Sequence, residues 1–241
     1  MKASVSDQNS LIELQRIDLA IMQAQHKLKS LPEREQIVSI EGRLSASAEL
    51  LTVAEVELAG VTIDLRRSEA DVESVADRMA KDESRLNNGS ASPKELEQLQ
   101  HEIATLAKRK SELEDSELEI MMKVDVAKER VAIIKGDEEG LKKLELELNI
   151  RLENAASELN RDIELNNSQR VLILPKIDGA LIEVYEKVRA NSGGVGAALL
   201  IGNTCDGCRL AINAVEMERI KSLESDEVLR CEECRRILVR I

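Results

Sequence analysis

The sequence predicts a mainly α-helical protein, in which a long antiparallel coiled-coil hairpin precedes a small C-terminal domain with short β-strands. The 241 residues include one Tyr, no Phe and no Trp, while 33% are charged. Aromatic side chains normally bury about 150–250 Å² each in a compact core, so this aliphatic, charged composition indicates long helices. Heptad repeats fill most of the chain, and their end near residue 170 predicts domains at 1–170 and 171–241.

A first helix is predicted over residues 11–31. Its apolar residues recur at alternating spacings of three and four, the period of a coiled coil. Pro32 is expected to end or kink this helix, because proline lacks a backbone donor and clashes with the preceding turn. The repeating residues are Leu14, Ile17, Ile21, Ala24, Leu28 and Leu31.

A second, longer helix is predicted from Ile37 to Leu86. The positions between its heptad residues are smaller and partly polar, as at Ser68 and Asp82, so we expect a thin seam. A strict heptad repeat implies a left-handed supercoil with a partner helix. At 1.5 Å per residue, residues 37–86 would form a rod roughly 75 Å long. The heptad residues are Ile37, Leu44, Leu51, Leu58, Leu65, Val72, Met79 and Leu86.

A turn is predicted near residues 87–92, where Asn and Gly tolerate positive φ. Ser92, Pro93 and Glu95 then supply an N-cap, a first-turn proline and a capping box. The return helix carries a third heptad repeat: Leu99, Leu106, Leu113, Ile120, Ala127, Ile134, Leu141 and Leu148.

Two heptad segments joined by a short turn predict an antiparallel hairpin. The same repeat could instead pair two chains, and the sequence leaves these alternatives open. Gly136 and Gly140 are expected to loosen the return helix, since each costs about 1 kcal/mol relative to Ala.

The chain after residue 170 is predicted to form a short helix over 178–189, a glycine-rich loop over 191–196 and a strand over 197–201. Tyr185, the single aromatic residue, is expected to pack this domain against the helices with its hydroxyl at the surface.

Four cysteines form two CxxC pairs, at Cys205 and Cys208 and at Cys231 and Cys234, with 22 residues between the pairs. Two such knuckles supply the tetrahedral sulfur set, bonded at about 2.3 Å, that zinc prefers. We therefore predict one structural zinc ion held by these four residues, with no open position for catalysis. Gly207 is expected to adopt the positive φ of a tight knuckle. The alternatives are two reduced thiol pairs or a redox dithiol, but the βαβ pattern that a thioredoxin-like site needs is absent.

Arginines surround the cysteines and could offset the formal charge of −2 that four thiolates leave on a zinc site. They are the candidate contacts for a phosphate or a partner. The whole chain has a net charge of −12, and residues 205–241 hold seven bases against eight acids, so general nucleic-acid binding is not favoured. The region also lacks an aromatic side chain on which a base could stack. These arginines are Arg209, Arg230, Arg235, Arg236 and Arg240.

Together these features resemble the bacterial four-cysteine zinc-ribbon proteins with an N-terminal coiled-coil hairpin, over nearly the whole chain. The resemblance depends on both cysteine knuckles and on short motifs. Arg235 replaces the glycine that is common after the last cysteine, and Arg209 replaces a frequent histidine. The motifs are Asn88-Gly89, Pro93-Lys94-Glu95-Leu96, Glu102-Ile103, Tyr185-Glu186 and Arg235-Arg236-Ile237-Leu238.

The resemblance implies zinc binding, a non-enzymatic adaptor or chaperone-like role, and nucleic-acid contact. Some relatives of this kind are tied to flagellar or secretion systems.

Several classes of protein are excluded by what the sequence lacks. No window approaches the ~18 consecutive apolar residues of a membrane span, and residues 1–10 are polar rather than a secretory signal. We therefore expect a cytoplasmic protein with reduced thiols and no membrane partner. His26 and His101 are expected to be solvated, and the glutamates fit coiled-coil flanks better than catalytic pairs.

The sequence thus predicts a non-enzymatic zinc-binding adaptor or chaperone-like protein, whose coiled-coil arm presents a zinc ribbon to macromolecular partners. The alternative is a zinc-ribbon regulatory protein that binds RNA or DNA. Protein partners are expected, and a homo-oligomer formed through the coiled coil stays open.

Overall fold

The structure is a computed structural model that describes residues 1–88 and 92–240. The chain divides into two compact units, one formed by Gln36–Leu148 and the other by Met1–Glu35 together with Asn149–Ile241. The elements are α1 (Val5–Lys29), α2 (Pro32–Asn87), α3 (Pro93–Ile173), a 3₁₀ turn (Leu174–Lys176), α4 (Gly179–Asn191), β1 (Ala197–Ile201), β2 (Thr204–Cys205), α5 (Ala214–Ser222), β3 (Leu229–Arg230) and β4 (Ile237–Arg240).

The unit Gln36–Leu148 is an antiparallel hairpin of α2 and α3, which confirms the predicted fold class. Ion pairs join the helices, and the residue numbers of the following three fall along α3 as they rise along α2. They are Glu55–Lys135 at 2.8 Å, Glu57–Arg130 at 2.9 Å, and Arg78–Glu102. The predicted heptad residues of both helices are buried or half-buried, so the 3.5-residue period identifies the seam correctly.

The return helix begins as predicted, at Pro93. The backbone N–H of Ser92 donates to Glu95 Oε2 at 2.7 Å, and its hydroxyl donates to the same oxygen at 2.8 Å. These bonds lower the pKa of Glu95, with the backbone N–H as the main cause. Residues 89–91 of the predicted turn lie outside the described residues. α3 continues as a helix through Gly136 and Gly140, so neither glycine ends it.

The other unit is built around a four-stranded sheet of order β2-β1-β4-β3. β1 and β4 are parallel neighbours, whereas β2 pairs antiparallel with β1 and β3 pairs antiparallel with β4. Residues alternate between two faces because successive side chains of a strand point in opposite directions. One face carries Ala197, Ile237 and Val239, which join a core with side chains of α1, α3 and α4.

The opposite face of the sheet carries Ala198, Leu200 and Leu238. These residues form a second core with Ile220 of α5 and with the buried cysteines. The sheet therefore lies between a helical layer and a layer that contains α5 and the cysteine knuckles.

The compact units do not follow the predicted boundary at residue 170. α1 belongs with the C-terminal residues, because Leu11 and Leu14 are fully buried in the core beneath β1 and β4. The N-terminal residues also pair with the segment before β3: the Ala3 N–H donates to the Asp226 carbonyl at 2.7 Å, and the Val228 N–H donates to the Met1 carbonyl at 3.1 Å.

Tyr185 contradicts the expectation of a surface hydroxyl. The residue is fully buried, and its hydroxyl donates to Asp18 Oδ2 at 2.7 Å. Asp18 also accepts from Arg170 Nε at 2.7 Å, so one buried carboxylate connects α1, α3 and α4. Burial is the main cause that raises the pKa of Tyr185, and the bond to Asp18 raises it further.

Across residues 1–88 and 92–240, no helix carries an apolar stretch long enough to cross a membrane.

Candidate metal centre

The two knuckles have the same backbone geometry. In the first, the Arg209 N–H donates to the Cys205 carbonyl at 2.7 Å, and the Cys205 N–H donates to the Leu210 carbonyl at 3.1 Å. In the second, the Arg235 N–H donates to the Cys231 carbonyl at 2.9 Å, and the Cys231 N–H donates to the Arg236 carbonyl at 3.0 Å. β2 ends at Cys205 and β3 ends just before Cys231, so the sheet sets the position of both turns.

The four cysteine sulfurs form one cluster, in which all lie within 4.8 Å of one another. Two of the four sulfur–sulfur distances between the knuckles, from Cys205 to Cys234 and from Cys208 to Cys231, are both 3.8 Å. A tetrahedral zinc site with bonds of about 2.3 Å places its sulfurs about 3.8 Å apart. The arrangement therefore fits a zinc ion held by both knuckles.

The left-handed backbone of each knuckle does not fall on Gly207, so that prediction is wrong. It falls on the residue after the second cysteine, at Arg209 with φ 61° and at Arg235 with φ 62°. Gly207 has a different role: a Cβ there would lie 2.7 Å from Arg236 Cδ and 2.9 Å from Ala198 Cβ. A side chain at 207 would therefore push the first knuckle away from the sheet.

The thiols differ in how easily they ionise. Burial raises the pKa of Cys205 to about 12 and also raises the pKa of Cys231. Burial acts in the same direction on Cys234, but hydrogen bonding from the Arg236 backbone and from neighbouring thiols outweighs it and lowers that pKa. Zinc takes thiolates as ligands, so binding to this cluster must release protons at neutral pH.

Two of the five predicted contact arginines are used inside the fold. Arg236 donates to the carbonyls of Ser192, Gly207 and Val195 at 2.9, 3.0 and 3.1 Å. These bonds fix the loop before β1 against the first knuckle. Arg240 donates to carbonyls at the end of α5 and just after it, including Ile220 at 3.1 Å.

Arg209, Arg230 and Arg235 have a different environment. All three are exposed, and their side chains form no ion pair with other described residues. Their guanidinium groups are therefore available to a ligand, whereas those of Arg236 and Arg240 are largely satisfied by backbone carbonyls.

Gln15 of α1 positions the strand that leads to the metal centre, and sequence reasoning missed it. Its Oε1 accepts from the Gly196 N–H at 2.6 Å and from the Ala197 N–H at 3.1 Å, and its Nε2 donates to the Gly194 carbonyl at 3.2 Å. The sequence does not indicate that Gln15 is buried, because glutamine on a charged helix is usually exposed and its partners here lie about 180 residues away in the chain.

Comparison with known proteins agrees with this architecture. A family model described as a CT398-like coiled coil hairpin domain matches residues 14–193, and one described as a C4-type zinc ribbon domain matches residues 204–238. The match and the sulfur cluster confirm the prediction of one zinc ion. Uncharacterized protein Rv2229c of Mycobacterium tuberculosis is 31% identical over 244 residues, covering 100% of this chain and 98% of that protein. Uncharacterized protein ML1638 of Mycobacterium leprae is 26% identical, covering 90% of this chain and 93% of that protein.

Solved structures share the fold. A protein from Mycobacterium smegmatis has a TM-score of 0.81 at 29% identity, covering 100% of both chains. CT398 from Chlamydia trachomatis has a TM-score of 0.61 at 17% identity, covering 98% of both chains, and that likeness concerns the fold alone. The chain therefore belongs to the family of proteins with a CT398-like coiled coil hairpin domain, here followed by a C4-type zinc ribbon.

Proposed function

We propose that this protein is a non-enzymatic zinc-binding adaptor or chaperone-like interaction protein. Cys205, Cys208, Cys231 and Cys234 would hold one zinc ion, which supplies a cross-link between the two knuckles. The surfaces of the hairpin and of the zinc ribbon would hold macromolecular partners.

A structural role for the metal is supported by the donor set. Four thiolates complete a tetrahedral site and leave no position for a water or a substrate. Two of the four cysteines, Cys205 and Cys231, are buried in the core on one face of the sheet. The ion would therefore stabilise the ribbon rather than carry out chemistry.

The observation that carries the proposal is a set of exposed apolar side chains on the hairpin. They repeat at helical spacings outside the filled seam, and each is between 58% and 70% exposed. Contiguous exposed apolar surface marks interaction sites, and spacings of three, four and seven residues place these side chains on one face of each helix. Met122 adds flexibility, since methionine adapts its shape to different partners. The residues are Val53, Val56 and Ile63 on α2 and Leu118, Met122 and Val126 on α3.

A photo-crosslinking amino acid at position 56 or 118 tests this proposal in cells of the source organism, with the extract treated with nuclease before purification. We expect crosslinks to protein, and we expect the double variant Met122→Glu with Val126→Glu to lose those made from position 118. Asp125→Lys, an exposed change on the same turn of α3, is the matched control.

Helical circular dichroism and zinc content should be unchanged in both variants. A crosslink to a second copy of the chain would identify self-association. The absence of any protein crosslink from either position would contradict the proposal.

The exposed arginines favour a second candidate, a regulatory protein that binds RNA or DNA. Arg209, Arg230 and Arg235 could contact phosphates, although the ribbon offers no aromatic side chain for stacking. Titration with single-stranded RNA and duplex DNA over a salt series separates the candidates. Tight binding that weakens steeply with salt would support the second, and no binding even at low salt would support the first.

A further inference from the structure

One edge of the sheet is only partly covered. β3 is the outermost strand, and the N-terminal residues pair with the segment just before it through the Val228 N–H and the Met1 carbonyl. An antiparallel bridge between Lys2 and Glu227 continues this pairing. The N-terminal residues thus pair with residues 226–228 as a short extra strand.

The backbone of Arg230 continues this open edge. The Cys231 N–H bonds inward to the Arg236 carbonyl, whereas the Val228 N–H bonds outward to Met1. Backbone groups alternate in direction along an antiparallel strand. The N–H and C=O of Arg230 therefore point away from β4, and they form no backbone hydrogen bond with another described residue.

A groove lies beside this edge, between α5 and the second knuckle. Its apolar lining includes Leu223 and Leu229, and its charged lining includes Arg219, Arg230 and Arg235. The Nε of Arg219 already donates to Glu216 at 2.6 Å.

The other two arginines have no such partner. Arg230 and Arg235 are exposed and form no ion pair among the described residues. Arg235 also occupies a left-handed position that glycine would fill with less strain. The groove therefore presents two unpaired guanidinium groups next to an unpaired strand edge.

We propose that this groove binds an extended acidic segment of a protein partner, a statement that rests on the proposed function. The segment would add as a strand at Arg230, exchanging backbone hydrogen bonds with its N–H and C=O. Carboxylates of the segment would pair with Arg230 and Arg235, and an apolar side chain would contact Leu223 and Leu229.

A peptide fits this groove better than a nucleic acid. Glu227 and Glu232 also line it, so the groove lacks the excess of positive charge that a phosphate backbone needs along its length, whereas a peptide strand needs only two arginine contacts. A strand edge offers hydrogen bonds to another backbone amide, which a nucleic acid lacks. The ribbon supplies no aromatic ring for a base.

The test uses the zinc-loaded full chain and a fluorescent eight-residue peptide of alternating Glu and Val with blocked ends. We expect saturable binding that Arg230→Glu and Arg235→Gly each weaken at least tenfold. Arg209→Gly is the matched control, because it makes the same change at the equivalent left-handed position of the first knuckle and should leave binding unchanged. Methylating the backbone amides of the peptide should also abolish binding.

Three results would overturn the groove assignment. They are equal binding of the Glu–Val peptide to all variants, equal binding of a Lys–Val peptide, and no binding of the Glu–Val peptide. Binding of a single-stranded oligouridine that is lost in the same variants would assign the groove to nucleic acid instead. Zinc content and circular dichroism confirm that each variant is folded. If the peptide fails to bind while protein crosslinks from positions 56 and 118 persist, this inference is wrong and the proposed function still stands.

Discussion

Arg209 and Arg235 show how a single backbone position shapes each knuckle. Both residues lie in the left-handed region, with φ 61° and 62°. An L-residue in this region experiences a clash between its Cβ and the following carbonyl, at a cost of roughly 1–2 kcal/mol. The hydrogen bonds from their N–H groups to Cys205 and Cys231 offset this cost.

Replacing either arginine with glycine should therefore stabilise the protein. We expect Arg209→Gly and Arg235→Gly each to raise the free energy of unfolding by about 0.5–1 kcal/mol, after the greater chain entropy of glycine is included. Urea unfolding of the zinc-loaded chain measures this. Arg230→Gly, in strand β3, should instead be destabilising, and a loss of stability in the two knuckle variants would contradict the argument.

Tyr185 gives a second prediction at this scale, because it is the single aromatic residue. Its pKa is raised above the ordinary value of about 10, first by burial and then by the bond to Asp18. The buried phenol therefore contributes stability that is fully present below pH ~10 and is lost as the pH rises above that value.

Tyrosinate absorbance measures this titration directly. We expect the folded chain to show little ionisation at pH ~10, where the chain in concentrated urea is half ionised. Ionisation of the folded protein should begin only as it unfolds. A native titration curve that coincides with the denatured one would show that the hydroxyl is not buried.

At the scale of elements, the helical seam contains a buried carboxylate. Asp82 occupies a heptad position of α2, and its Oδ2 accepts no hydrogen bond among the described residues. The nearest cationic group is Arg85 Nη1, at 3.8 Å from the other oxygen. A buried polar residue in a coiled coil lowers stability and can fix the register of the helices.

Asp82→Leu should stabilise the hairpin, because it removes an unsatisfied buried group and adds apolar surface to the seam. We expect a gain of about 1–3 kcal/mol in the free energy of unfolding, measured by thermal and urea unfolding. Asp77→Leu, an exposed change on the same helix, should alter stability by less than about 0.5 kcal/mol. A less stable Asp82→Leu variant would refute the role given to this carboxylate.

The long elements were predictable because their signals repeat. Heptad spacing identified the seams of α2 and α3, and the capping residue Ser92 marked the start of α3. α1 begins earlier than predicted, at Val5, because the Ser4 hydroxyl caps the Asp7 N–H at 3.1 Å. Local chemistry of this kind can be read from a few adjacent residues.

The small elements and the detail of the metal centre were less accessible. β3 has two residues and β4 has four, which is too short for a periodic pattern, and their partners are set by tertiary structure. Cysteine spacing predicted the cluster, since the backbone turn and the sulfur distance follow from the CxxC motif. The backbone contacts of Arg236 and Arg240 depend on distant carbonyls, so no local pattern could indicate them.

At the scale of the whole molecule, the cysteines all lie in one of the two compact units. The unit Gln36–Leu148 contains none of them and is held by its helical seam. Removing zinc should therefore disorder the layer that contains Ile220 and Leu238, while the helices of the hairpin remain.

Chelation followed by circular dichroism and a zinc-release dye tests this expectation. We expect one equivalent of zinc to be released and most of the helical signal to remain, with Cys231→Ser reproducing the same change. Val56→Ser, an exposed substitution in α2, should not affect zinc content. Complete loss of helix on chelation would contradict the independence of the hairpin.

The position of α1 beneath β1 and β4 has a consequence for biosynthesis. α1 begins at Val5 and is made before β4, which begins more than 200 residues later at Ile237. At about 5–20 residues per second, α1 waits roughly 10–50 s for the strand that covers Leu11 and Leu14. This layer can therefore be completed only after β4 has left the ribosome, and until then β4 does not cover the apolar face of α1 in the nascent chain.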